Sequence, residues 1–165
     1  MAARAIRLRA PRPGDFGWVV QRHGELYAAE FGWDERFEGL VAGIVARFIA
    51  RFDSRRERAW IAERGGRRAG SVFLVKKSPR VGQLRMLLVE PEARGLGIGE
   101  RLVAECIAEA RRRGYAKLVL WTQANLTSAR RIYKGLGFRL VKKEPHADFG
   151  RRLVGEYWEL VLGSS

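Results

Sequence analysis

Cysteine is nearly absent from this chain, with Cys106 alone among 165 residues. A single thiol closes no internal disulfide and builds no cysteine cage for a metal. Cys106 falls on the apolar stripe of an expected helix, which marks it as packing rather than a nucleophile. Histidine is as scarce: His23 and His146 stand far apart without spaced cysteines or carboxylates, so no metal site is expected. Long apolar runs are missing too. Nothing approaches the ~20 residues of a membrane span, and the opening Met-Ala-Ala-Arg-Ala-Ile has no apolar leader core, so neither membrane association nor targeting is expected and a cytoplasmic location is. Acidic residues are in short supply, 18 against 32 Lys and Arg, for a formal charge of +14. That basicity is spread over residues 51–58, 64–68, 111–113 and 151–152, with no aromatic-interleaved motif. No specific nucleic-acid partner is therefore expected, although diffuse positive charge gathers polyanions by long-range steering.

What is present reads as one domain over residues 1–165, without repeat, linker or low-complexity tract. Nothing fixes the oligomeric state, and a homodimer is allowed. Ala5–Ala10 alternates apolar and basic residues, a first strand with one solvated face. Asp15 is expected to cap a first helix whose inner face carries Phe16, Val19, Val20, His23 and Tyr27. A second helix begins near Asp34, with Phe37, Val41, Ile44, Val45 and Phe48 on its apolar side. Residues 58–63, 68–75 and 81–89 read as a three-strand meander, its first two strands joined by Gly65-Gly66. After the helix that Gly114 should cap, residues 117–121 form a buried strand, the helix containing Tyr133 follows, and residues 138–142 and 153–162 close the sheet around a loop at 144–150. The result is a mixed sheet with helices on both faces.

One junction stands out. The apolar run Leu84 to Val89 ends at Pro91, and Arg94, Gly95, Gly97 and Gly99 then open a helix with Leu102, Val103, Cys106, Ile107 and Ala110 inside. The first amides of a helix lack internal partners, and glycine lets a ligand approach them, so this turn suits an anion such as a pyrophosphate, with Arg94 beside it. It sits too far along the chain for the dinucleotide fingerprint, and no Gly-Lys-Ser/Thr follows for a nucleoside-triphosphate loop. Tight strand-to-helix packing alone would also explain the glycines.

Arg94, Gly97 and Gly99 resemble the Arg-x-x-Gly-x-Gly signature of the GCN5-related N-acetyltransferases (GNAT), and Ala129, Tyr133 and Gly137-Phe138 resemble that family's second signature. Glu30-Phe-Gly-Trp-Asp34 and Leu120-Trp-Thr-Gln123 look like the acetyltransferase half of proteins that join such a domain to a MarR-type regulator. The resemblance implies an α+β fold with a mixed, mostly antiparallel central sheet of six to seven strands. It implies acetyl-CoA as donor, no metal, and a primary amine of a small molecule, amino acid, peptide or protein as acceptor. By the same resemblance, the backbone of Leu87, Leu88 and Val89 holds the pantetheine arm, Arg94, Gly95, Leu96, Gly97, Ile98 and Gly99 the pyrophosphate, and Asn125 and Ala129 flank the cofactor. Tyr133 would serve the leaving sulfur as general acid. Two positions depart from the family pattern. Leu126 stands where an Asn is usual, leaving Asn125 either on the cofactor or capping the helix, and Gln83 replaces a glutamate base, an amide being unable to take a proton. The base must then come from elsewhere: from Glu30, set among aromatic residues that would desolvate it, from Glu38, His23, Glu63 or His146, or from a water chain that lets the amine arrive already deprotonated. Tyr27, Trp33, Trp121 and His146 are expected to wall the acceptor side, though Phe31 and Trp33 would equally serve to plug the gap between helices. A non-catalytic module that senses acyl-CoA or contacts nucleic acid is the alternative.

Overall fold

The computed structural model describes residues 5–163. Seven strands form one sheet in the order β1-β2-β3-β4-β5-β7-β6, made of β1 (Ile6–Arg9), β2 (Arg58–Arg64), β3 (Arg67–Ser78), β4 (Val81–Val89), β5 (Lys117–Gln123), β6 (Arg139–His146) and β7 (Leu153–Val161). All neighbours are antiparallel except β4 and β5. Helices α1 (Asp15–Phe31) and α2 (Glu35–Ala50) belong to one layer, and α3 (Ile98–Arg112) and α4 (Thr127–Gly135) to the other. The apolar positions of α3 meet Trp60, Val72, Leu74 and Leu118 on one side of the sheet. Val41, Val45 and Phe48 of α2 meet Ile61 and Phe73 on the other. None of the helices among the described residues is long and apolar enough to cross a membrane.

Three local expectations need correction. Gly14, at φ 96°, caps α1, while Asp15 lies inside the first turn. The Asp15 carboxylate accepts hydrogen bonds from the Arg12 amide at 2.6 Å, Arg9 at 2.6 Å and Arg68 at 2.7 Å, because three donors converge there. At α4 the N-cap is Leu126 without a side-chain cap, so Asn125 does not cap the helix. The β6 strand runs on through Pro145 to His146, where a loop was expected; Pro145 is tolerated because β6 is an edge strand.

The middle of β4 positions the site. Its pairing with β3 shifts between Ser71 and Phe73, which face Leu88 and Arg85, so two residues of β4 oppose one of β3. Met86 takes φ 57° there, and the Ser71 hydroxyl donates to its carbonyl at 2.7 Å. Such a bulge bends the strand and re-aims its side chains. On the other flank, β4 pairs with β5 only from Val81 to Gln83, against Lys117 to Val119. Beyond that point the parallel strands part, leaving the Leu87–Val89 edge facing a notch.

Candidate active site

Two cavities meet at this notch. The larger, about 500 Å³, lies between the end of α1 (Tyr27, Glu30), the end of β4 (Leu87 to Val89), the turn from Arg94 to Gly99 and the start of α4 (Asn125 to Ala129). The smaller, about 90 Å³, is bounded by His23, Phe37, Val41, Gln83, Arg85, Trp121, Gln123 and Tyr133. Tyr27, Leu87, Leu126 and Ala129 belong to both walls, so the cavities share a boundary.

The larger cleft carries anion-binding features of its own. Gly97 caps α3 at φ 77° in the left-handed region, with open space where a Cβ would stand. Among the described residues, the amides from Gly95 to Glu100 find no acceptor, so they present unpaired donors at a helix N-terminus. Gly99 differs. A Cβ there would lie 2.9 Å from Ile132 Cδ1, so this glycine lets α3 and α4 approach closely. The Leu96 side chain points away and is exposed, which leaves only its backbone for a ligand. A cleft bearing free amides, a guanidinium and an unpaired strand edge suits the chemistry of acetyl-CoA, with its phosphates and its amide-bearing arm.

Glu30 lies in this larger cleft and pairs with Arg94 at 2.6 Å. It does not line the smaller cavity. Nor does any other Asp or Glu among the described residues. Gln83 does line it, at the position where the family resemblance expects a glutamate.

Tyr133 is buried on α4, packed edge-on against Phe138 at 5.7 Å. Burial pushes its pKa up, reinforced by Tyr27 and Cys106, and among the described residues its hydroxyl has no hydrogen-bond partner. Tyr27 is likewise raised to about 12, first by burial and then by the Glu30 charge. His23 stacks on Tyr27 at 5.8 Å between ring centroids. Burial lowers its pKa to about 4, and its Nδ1 lies 2.7 Å from the Val19 carbonyl. A neutral ring must donate from Nδ1 to that oxygen, so Nε2 keeps its lone pair.

The expected acceptor wall divides. Tyr27 and Trp121 line the smaller cavity. Trp33 does not: it is buried against Tyr27, Phe37 and Phe149 at 4.8–5.1 Å and plugs the gap between α1, α2 and the loop before β7. His146 stands behind the wall, its Nε2 2.7 Å from Gln123 Oε1. Gln123 and Arg85, both on the wall, escaped the sequence reading. The register of β4 offered a signal, since the alternation that buries Leu84 turns Gln83 and Arg85 to the opposite face.

The pattern of the Acetyltransferase (GNAT) family matches residues 20–138. The chain belongs to that family. It is 31% identical over 133 residues to an uncharacterized N-acetyltransferase of Schizosaccharomyces pombe, covering 80% of this chain and 79% of the relative. N-acetyltransferase 8F1 of Rattus norvegicus is 35% identical over 107 residues, which cover 62% of this chain and 45% of that longer protein. The yncA acetyltransferase of Salmonella typhimurium, solved with its cofactor acetyl-CoA, superposes with a TM-score of 0.76 at 20% identity, covering 98% of this chain and 96% of the other.

Proposed function

We propose that this protein, as a single domain, transfers the acetyl group of acetyl-CoA to a primary amine that enters through the smaller cavity. The observation that carries this reading is the shared wall of Tyr27, Leu87, Leu126 and Ala129, which lets a donor in the larger cleft meet an acceptor in the smaller. Bound acetyl-CoA supplies an activated acyl group and a thiolate leaving group. In the transfer a C–N bond forms and a C–S bond breaks, the nitrogen loses a proton and the sulfur gains one.

The amides of Gly95 to Glu100 and Arg94 grip the pyrophosphate, while the free Leu87–Val89 edge receives the pantetheine as an added strand would be received. Glu30 acts by orienting Arg94, and the ion pair removes it from the role of base. Tyr133, held protonated by burial, gives its proton to the departing sulfur. No carboxylate of the smaller cavity takes the amine proton. Instead an apolar wall and the Arg85 charge disfavour an ammonium ion, so the amine enters neutral. Within the family we read the chain as near the acetyltransferase half of MarR-type fusions, since Trp121 and Gln123 of one shared phrase line the acceptor cavity and Glu30 of the other reaches Arg94.

Thiol release from acetyl-CoA, measured with and without a panel of primary amines, tests this reading. Amine-dependent release is expected. Tight acetyl-CoA binding without turnover of any amine would favour the sensing module instead.

A further inference from the structure

Arg85 is partly buried on the wall of the smaller cavity, and among the described residues it is the one lining group that is permanently charged. Among the described residues it has no carboxylate within 4 Å and donates no hydrogen bond. Other half-buried arginines are answered: Arg9 by Asp15 at 2.6 Å, Arg22 by Glu90 at 2.7 Å, Arg130 by Glu156 at 2.8 Å. A partly desolvated guanidinium without a protein counter-charge favours an anion that enters the cavity beside it. A second cation, Arg47 on α2, adds to the positive field at Arg85. Burial and that charge together hold the Arg85 pKa below its ordinary value, as expected of a cation awaiting a counter-charge. The other groups facing it are His23, which is neutral, and the uncharged Gln83 and Gln123.

We infer that Arg85 receives the carboxylate of the acceptor, so that the substrates are small amines bearing a carboxylate, free α-amino acids among them. The inference rests on the smaller cavity being the acceptor site. Its chemistry is consistent throughout. A planar guanidinium meets a carboxylate through two parallel hydrogen bonds, which fixes the orientation of the whole acceptor. Phe37, Leu40, Val41, Ile44 and Trp121 offer apolar surface to its side chain. Polyamines and lysine-rich tails are disfavoured, because the cavity holds a cation and no acid. The β4 bulge after Arg85 explains how the side chain comes to face this cavity while Leu87, two residues on, borders both.

Matched triads test the inference: L-phenylalanine, phenylalaninamide and phenethylamine, and the same three forms of leucine. The free acids should show the highest kcat/KM. The acid-to-amide ratio should fall roughly ten- to a hundredfold in Arg85→Gln, mainly through the KM of the acid, with Arg85→Lys retaining part of the preference. Thermal melts establish that each variant is folded. In parallel, quenching of intrinsic fluorescence, to which Trp121 contributes, reports binding of N-acetyl-L-phenylalanine and its amide in the presence of CoA. Turnover without preference for the acid, or a preference unchanged in folded Arg85→Gln, overturns the inference and leaves acetyl transfer standing. Carboxylate binding lost in Arg85→Gln without turnover of any amine upholds the anion site and rejects acetyl transfer. Absence of both turnover and Arg85-dependent binding overturns it outright.

Discussion

Tyr133 carries a proton that its surroundings will not release into solution. Burial raises its pKa first of all, and the nearby Tyr27 and Cys106 add to that, so the hydroxyl enters any reaction as a donor. Tyr133→Phe removes only that oxygen. General acid catalysis contributes about 10²–10⁴-fold, and thiolate is a fair leaving group, so turnover should fall roughly a hundredfold while acetyl-CoA affinity changes by no more than a few-fold. Steady-state rates beside calorimetric binding measure both quantities. Parental turnover in a folded Phe variant would reduce Tyr133 to a packing residue. Trp33 shows the opposite situation, an aromatic residue whose neighbours are all side chains of its own core.

The turn into α3 depends on what it lacks. Gly97 has free space around the position of a Cβ but a φ of 77°, so an L side chain is strained there by roughly 1–2 kcal/mol and also stands where an anion would approach. Gly97→Glu adds a negative charge beside the free amides. Calorimetry should find acetyl-CoA binding lost or weakened by well over tenfold in the folded variant; unchanged affinity would remove the pyrophosphate from this turn. That turn was legible in the sequence because its cause is local: consecutive positions, one helix end, one strand end. The apolar stripe of α2 and the β2–β4 meander were legible for the same reason. The bulge at Met86 was not, because it is a mismatch with β3, a strand that ends before β4 begins. The ion pair of Glu30 with Arg94 was not legible, because the two residues stand 64 positions apart in the chain. His146 was read as a loop residue because only pairing with β7 shows that β6 continues through Pro145.

Across the whole molecule, the layered fold buries one imidazole completely, and stability should register it. His23 has a folded pKa of about 4 against an ordinary 6.5. Above pH 6.5 neither folded nor unfolded chains protonate it, and it adds no pH dependence. As pH falls from 6.5 to 4 the unfolded chain takes up a proton that the folded chain refuses, so folding is weakened, by roughly 3 kcal/mol in all from this residue. Urea unfolding across that window should show the decline, and His23→Gln should flatten it; an equally steep profile in the variant would assign the slope to other groups. The core on the opposite side of the sheet holds Cys106, whose thiol is fully buried and whose pKa is raised by burial and then by Glu109 and Glu105. A thiol-reactive dye added to a reaction therefore counts released CoA and not the protein. Without acetyl-CoA, the slow labelling of Cys106 by that dye becomes a clock for how often the sheet and α3 come apart.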